Sequence, residues 1–278
     1  MRSQKELFVD QKLVEMITKL TQRTPDDDDT PNRVIRDLID DAELLSIQDY
    51  ANRVSINRLG FNDHGPVHMR TVCYNALKML RILYDAGIPT SLQADQSGTF
   101  DDSMIAVAIA SFMHDMGMSL GRQDHELYGG IMAYGMITRI LEKNLPGDEN
   151  LYRRVAIRSV AMEGIIGHMG THRVHSIEAG LIMIADGCDM TKGRARIPIE
   201  IHSEPKAGDI HKYSANSIDK VSIMSGEERP IKIEVEMSAE VGLFQVEEVL
   251  MPKINASPAR HFVELYASVC GKEGKRYL

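Results

Sequence analysis

The sequence predicts a mainly α-helical protein, in which a helical bundle is followed by a small C-terminal α+β appendage. Two observations lead to this fold class. Apolar residues recur at helical spacing along most of the first 190 positions, and alternating β-branched residues replace that pattern after residue 196. With 278 residues, 43% of them hydrophobic, the chain is long enough to bury a large core. We expect N-terminal helices over 1–59 that pack on the core, a main domain over 60–196 and a subdomain over 197–278.

The N-terminal region predicts three helices. Residues 4–22 carry apolar side chains at helical spacing, and Thr30 with Pro31 is a typical start of a second helix. A third helix is expected over 43–57, ending near Gly60. The acidic run at 26–29 between the first two is predicted to be a solvated linker.

The main domain is expected to consist of longer helices. Residues 66–86 form a strong helix candidate, whereas 87–102 contains Gly87 and Pro89 and is predicted to be a loop. An almost wholly apolar helix follows and should end near Gly117. Further helices are predicted over 125–143, 149–165 and 174–190.

The C-terminal region changes character. Three segments alternate in the manner of strands, at 197–205, 217–226 and 229–237. Residues 257–269 begin with a capping Ser and a Pro and then show helical periodicity, so they predict a helix. The boundary between the two regions is placed at 197–207.

Net charge, cysteine content and the lack of targeting or membrane-spanning patterns exclude several classes of protein. The net charge of −8 argues against a general nucleic-acid or anionic-membrane surface, although a metal could still attract a small anionic substrate. The three cysteines, Cys73, Cys188 and Cys270, support neither a disulfide framework nor a zinc knuckle. The N-terminus does not resemble a secretory signal, and no apolar run approaches the roughly 18 residues of a membrane span. A cytoplasmic location is therefore expected.

Histidine and aspartate recur in apolar, helix-like surroundings along the main domain. Imidazole and carboxylate together hold metals such as Mn²⁺, Fe²⁺ or Zn²⁺. Any one of these residues alone would more often be a hydrogen-bonded core residue, but the set predicts a metal-dependent site built from at least four helices. Its members are His68, His114, Asp115, His125, His168 and Asp186.

The adjacent pair His114 and Asp115 needs a special backbone to act together. Neighbours in a straight helix point about 100° apart, so both cannot normally face one ion. Gly117 can end the helix so that both side chains converge. An aspartate there can also bridge two metals, one oxygen to each.

Several other residues stand beside these candidates. His64 is separated from the helix of His68 by Gly65 and Pro66, and is predicted to be a supporting or substrate contact. His172 and His175 follow His168, and either could complete a second metal site, although exposed histidines are the commoner explanation.

The chain beyond Asp186 is basic. Asp189 is expected to orient a ligand or Lys192. The cations Lys192, Arg194 and Arg196 suit a phosphate, but a helix C-terminus decorated with cations explains them equally well.

Three blocks of the sequence resemble the HD superfamily of metal-dependent phosphohydrolases. They are His68 in H-x-x-x-V, His114-Asp115 in HDMG and Asp186 in ADGCDMTKGR. The similarity covers about residues 60–196. His125 and His168 resemble the two additional histidines of binuclear members. The G-Y-P element of the branch that cleaves cyclic di-GMP is missing after the late histidines.

The resemblance implies a helical bundle that holds one or two divalent metals, among Mn, Fe, Mg, Co and Zn. It implies that His68, His114, Asp115 and Asp186 hold the first metal. Asp115 would bridge to a second metal on His125 and His168. It further implies that Asp115, His125 and Lys192 are catalytic, and that Lys192, Arg194 and His64 bind substrate.

The resemblance implies that the protein hydrolyses a phosphomonoester or phosphodiester bond of a nucleotide, with a metal-activated water as the nucleophile. Two alternatives stay open: an HD-type di-iron oxygenase, and a non-catalytic sensor that binds a nucleotide and signals through its C-terminal appendage. The expected partner is a small phosphorylated substrate. Uncovered sheet edges in the appendage also favour a homo-oligomer.

Overall fold

The fold class predicted from the sequence is confirmed. The computed structural model describes residues 2–22, 29–191, 210–270 and 274–278. Helices make up most of this part, and a four-stranded sheet lies near the C-terminus. The predicted acidic linker falls largely outside the described residues, as do the first predicted strand at 197–205 and the basic residues Lys192, Arg194 and Arg196.

The helices follow the predicted order, with bounds that differ by a few residues. A π-turn at Val54–Arg58 extends the third helix, and the predicted loop at 87–102 contains one short helix and the start of the next. The helices are α1 Gln4–Thr21, α2 Thr30–Asp40, α3 Ala42–Arg53, α4 Pro66–Asp85, α5 Ser91–Ala94, α6 Phe100–Met113, α7 His125–Asn144, α8 Leu151–Gly167, α9 Ile177–Cys188 and α10 Ile210–Asn216.

Helix α6 is the centre of the bundle. Thr99 and Asp102 start it with a reciprocal capping box, in which the Asp102 carboxylate accepts from the Thr99 amide at 2.9 Å. Every residue of α6 is buried, and it contacts α2, α4, α8 and α9. Because its residues after the first turn are apolar on nearly all sides, it can be surrounded completely. Its C-terminal end is where the candidate ligands begin.

A buried polar network ties the N-terminal helices to this core. The Arg70 Nε donates to the Asp10 carboxylate at 2.6 Å, which links α4 to α1. Arg70 also donates to Gln48 of α3 at 3.2 Å, and Gln48 donates in turn to the carbonyl of Phe112 at 2.7 Å. The network therefore holds Phe112, near the C-terminal end of α6 and two residues before His114.

The C-terminal sheet has four strands in the order β1-β2-β3-β4, formed by Ile218–Ser225, Ile231–Met237, Val263–Val269 and Lys275–Arg276. β1 and β2 are antiparallel, β2 and β3 parallel, and β3 and β4 antiparallel. The strands predicted at 217–226 and 229–237 are therefore confirmed. Ile231, Ile233 and Val235 of β2 alternate inward, as the sequence pattern indicates.

The helix predicted over 257–269 is wrong. Ser257 does cap a helical turn, accepting from the Ala259 amide at 3.0 Å, but the turn is a 3₁₀ helix that ends at Phe262. The chain then extends as β3, in which Val263 and Leu265 are buried and pair with β2. Parallel pairing with a distant strand decides the conformation here, and a local pattern does not report it.

A helical connection joins the two parallel strands. It consists of α11 Leu243–Gln245, a π-turn at Val246–Leu250 and α12 Met251–Ala256, and it packs against α9. Side chains from both parts of the chain, such as Ile184 of α9 and Ile254 of α12, belong to one hydrophobic core. The division into 1–59, 60–196 and 197–278 stays a prediction. Among the described helices, none is long and apolar enough to cross a lipid bilayer.

Candidate metal centre

The structure brings all six predicted ligand side chains to one place inside the bundle. Each comes from a different turn or helix end, apart from the adjacent pair after α6. Five of them are 2% exposed or less, and Asp186 is slightly more open. The contributions are His68 from α4, His114 and Asp115 after α6, His125 from the start of α7, His168 after α8 and Asp186 from α9.

The backbone after α6 makes the adjacent pair converge. The helix ends at Met113, and Asp115 leaves the helical conformation with φ −99° and ψ 9° before a 3₁₀ turn begins. His114 Nε2 then lies 3.3 Å from Asp115 Oδ2. The helix end predicted near Gly117 is confirmed.

The first group of donor atoms is formed around His68. Its Nε2 lies 3.1 Å from His114 Nε2, 3.3 Å from Asp115 Oδ2 and 3.2 Å from Asp186 Oδ1. His114 Nε2 lies 3.9 Å from the same Asp186 oxygen. Ligands held about 2.1 Å from one tetrahedral ion would be about 3.4 Å apart. The group therefore has the spacing of a metal site.

The second group lies on the other side of Asp115. Its Oδ1 is 3.3 Å from His125 Nε2 and 3.4 Å from His168 Nε2, and these two nitrogens are 3.3 Å apart. Asp115 thus presents one oxygen to each group. The sets His68-His114-Asp186 and His114-Asp115-His168 each place donor atoms within 4.8 Å of one another, so both could hold an ion.

The four imidazoles are held so that their Nε2 atoms face inward. Each Nδ1 has an oxygen acceptor, which fixes the tautomer that carries its proton on Nδ1. The acceptors are Asp189 Oδ2 for His68 at 2.7 Å, Ser111 O for His114 at 2.9 Å, Arg122 O for His125 at 3.0 Å and Ile165 O for His168 at 2.7 Å. The Nε2 lone pairs therefore face each other in both groups, and a cation held between them would remove the repulsion.

Electrostatics keep these groups in the form that binds metal. Burial lowers the pKa of His168 to about 4, so its imidazole is neutral at pH 7. Burial by itself would raise the pKa of Asp115, but its electrostatic contacts with His114 and His64 hold that pKa well below its usual range. The carboxylate is thus ionised.

Asp186 has a partner that the sequence patterns did not predict. The Nζ atom of Lys253, on α12, donates to Asp186 Oδ2, while Oδ1 faces His68 and His114. Burial would raise the pKa of Asp186, but Lys253 and His68 hold it well below its usual range. Glu126 was also missed; its Oε2 lies 3.1 Å from His125 Nδ1 and its Oε1 accepts from Thr171 at 2.7 Å.

The remaining candidates fall outside the inner group. The ring of His64 lies edge-on to that of His68, with centroids 5.9 Å apart, and its Nδ1 is 2.9 Å from Ser55 Oγ. It borders the site, and its role as a supporting or substrate contact stays a prediction. His172 and His175 are exposed. Asp189 orients His68, which was one of its two predicted roles. Lys192 and Arg194 lie in the stretch that the structure leaves undescribed.

The fold and the site define a mainly α protein with a buried histidine-aspartate centre able to hold metal. Over 239 residues, which are 86% of this chain and 89% of the relative, it is 39% identical to the uncharacterized protein MJ1020 of Methanocaldococcus jannaschii. The chain belongs to the same family as that protein. No family model matches the sequence, and no solved structure matches it.

Proposed function

We propose that the protein is a binuclear metal-dependent phosphohydrolase of the HD type, acting on a small phosphate ester such as a nucleotide. The observation that carries the proposal is the position of Asp115. Its two oxygens face two separate groups of donors, at 3.3 Å from His68 and 3.3 Å from His125. A carboxylate between two such groups is the arrangement expected of a bridging ligand.

The donor set fits divalent metals. His68, His114, Asp115 and Asp186 would hold one ion, and Asp115, His125 and His168 the other. Two ions there would lower the pKa of a water molecule and neutralise charge on a phosphoryl group. The chain's own contribution is to fix the imidazoles by their Nδ1 hydrogen bonds, to exclude bulk water by burial, and to attract the substrate.

Charge favours an anionic substrate. The carboxylates in or beside the centre are Asp115, Asp186, Asp189 and Glu126, and the buried ammonium of Lys253 opposes them. Two bound divalent ions would outweigh this set and leave a net positive charge in the buried centre. The predicted phosphate contacts of Lys192 and Arg194 would add to it, and His64 would contact a substrate at the edge of the site.

The test is turnover by the full chain with Mn²⁺, Mg²⁺ or Co²⁺ on a panel of nucleotides and phosphodiesters. Phosphate or nucleotide release is measured for the wild type and for Asp115→Ala, with Asp95→Ala as a matched control at an exposed carboxylate. The proposal expects release by the wild type and the control and at least a thousandfold loss in Asp115→Ala. Equal release by all three proteins would overturn it. Nucleotide binding without release would favour the sensor.

A di-iron oxygenase is the second candidate. Four of the six candidate ligands are imidazoles, and a histidine-rich set is also compatible with iron. Iron retained through purification, with oxygen uptake and no phosphate release, would favour this function. The homo-oligomer stays a prediction, and sedimentation of the metal-loaded chain tests it.

A further inference from the structure

Lys253 reaches the metal centre from outside the part of the chain that resembles the HD superfamily. It lies on α12, between β2 and β3, and it is 67 residues from Asp186. Its stem packs where α9 has no side chain: a Cβ on Gly187 would lie 3.2 Å from Lys253 Cδ and 3.1 Å from Leu250 Cδ1. The glycine next to Asp186 therefore makes room for the lysine.

The centre is slightly open to solvent at Asp186 and Lys253. His68, His114 and Asp115 have side chains 3% exposed or less, whereas those of Asp186 and Lys253 are each 10% exposed. Asp186 is thus the most exposed of the six candidate ligands, and Asp189 beside His68 is similarly exposed, at 12%. A small ligand that enters beside Asp186 would come close to the ammonium of Lys253.

The two carboxylate oxygens of Asp186 have different partners. Oδ1 faces the imidazoles of His68 and His114, and Oδ2 accepts from the ammonium. A cation bound at Oδ1 would share the single negative charge of the Asp186 carboxylate with the ammonium of Lys253. A metal ion held at Oδ1 would be a second cation close to the ammonium, and an anion between them would neutralise both charges.

We propose, on the basis of the phosphohydrolase function above, that Lys253 is the cation of the C-terminal part that binds the substrate phosphate at the first metal site. In the structure its ammonium donates to Asp186. The C-terminal part then completes the active site, and metal binding and phosphate binding respond to Lys253 in opposite directions.

Two binding measurements on the full chain test this. Equilibrium dialysis gives the affinity for Mn²⁺, and calorimetric titration of the Mn²⁺-loaded protein gives the affinity for inorganic phosphate. Lys253→Met is compared with Lys253→Arg, which keeps the charge, and with Lys220→Met, which removes an exposed lysine from β1. Circular dichroism confirms that each variant is folded.

We expect the Mn²⁺ affinity of Lys253→Met to be equal to that of the wild type or up to tenfold higher, because a neighbouring positive charge is removed. It should bind phosphate at least tenfold more weakly. Lys253→Arg should retain phosphate binding to within about threefold, and Lys220→Met should match the wild type in both. If Lys253→Met is too unstable to isolate, Lys253→Arg and Lys253→Gln carry the same comparison.

Unchanged phosphate affinity in Lys253→Met, or a loss of Mn²⁺ affinity with phosphate binding intact, would overturn the role of Lys253. Failure of the phosphohydrolase function is distinguishable, because it appears in the wild type as an absence of Mn²⁺ binding or of turnover on the substrate panel.

Discussion

The carbonyl oxygen of His125 occupies the space where a side chain on Gly117 would begin. A Cβ built on Gly117 would lie 1.9 Å from that oxygen and 2.7 Å from the amide nitrogen of Gly129. This approach sets the start of α7 directly against the turn that follows Asp115. It brings His125 Nε2 to 3.3 Å from Asp115 Oδ1, and so builds the second group of donors.

Gly117→Ala should therefore destabilise the protein and separate His125 from Asp115. The new methyl group meets backbone atoms that have nowhere to move, and overpacking of this kind costs about 1–3 kcal/mol or more. Gly135→Ala is the matched control, because that position is exposed on α7 with nothing within 4 Å of a Cβ. It should gain about 0.5–1 kcal/mol from helix propensity. Urea unfolding gives the free energy of unfolding of both variants. Equal stability of the two would contradict the close packing at Gly117.

Asp189→Ala should weaken metal binding without removing a ligand. Asp189 Oδ2 accepts from His68 Nδ1 at 2.7 Å and so fixes the ring that supplies Nε2 to the first group. Loss of such a partner costs about 10–100-fold in metal affinity. Asp189→Asn keeps an oxygen acceptor and should lose less. Mn²⁺ titration compares them, with Asp95→Ala as the control, and wild-type affinity in Asp189→Ala would show that the contact does not orient His68.

Asp10→Ala should be among the most destabilising changes far from the metal centre. It leaves the fully buried guanidinium of Arg70 without the carboxylate that it contacts at 2.6 Å, and breaking a buried pair costs about 3–5 kcal/mol. Asp40→Ala removes an exposed carboxylate, which pairs with Arg2, and should cost less than about 1 kcal/mol. Denaturant unfolding distinguishes the two. A similar small loss in both would mean that the Asp10 pair does not anchor α1.

The three cysteines should differ sharply in reactivity. Burial raises the pKa of the Cys73 and Cys188 thiols, whereas Cys270 is exposed. A thiol reagent at neutral pH should therefore modify one cysteine quickly in the native protein and all three after unfolding. Cys270→Ser should abolish the fast phase. Rapid native labelling of two or three thiols would contradict the burial of α4 and α9.

The ligand set could be predicted from the sequence because its signals are local. Histidines and aspartates stand in apolar helices, and Gly117 marks the place where a helix must end for His114 and Asp115 to converge. The order of these blocks along the chain also carries the resemblance to the HD superfamily. Side chains that are costly to bury unpaired need partners, so their presence in apolar segments predicts a shared site.

Other features depend on contacts between distant segments. Lys253 on an amphipathic stretch resembles any surface lysine until α12 is packed against Gly187. Similarly, Ser257 and Pro258 start a helical turn in the sequence and in the structure, but pairing with β2 makes the following residues a strand. Local sequence patterns do not encode contacts between distant segments. The strand pairing of β3 and the contact of Lys253 with Asp186 are therefore seen only in the folded structure.

The number of metal ions per chain tests the central claim most directly. The purified chain is saturated with Mn²⁺, dialysed and analysed for metal by mass spectrometry, together with His125→Ala and His168→Ala. The geometry around Asp115 predicts two ions per chain in the wild type and one in each variant, because the first group does not need either histidine. A folded wild-type chain that saturates at one ion, or binds none, would contradict the binuclear centre.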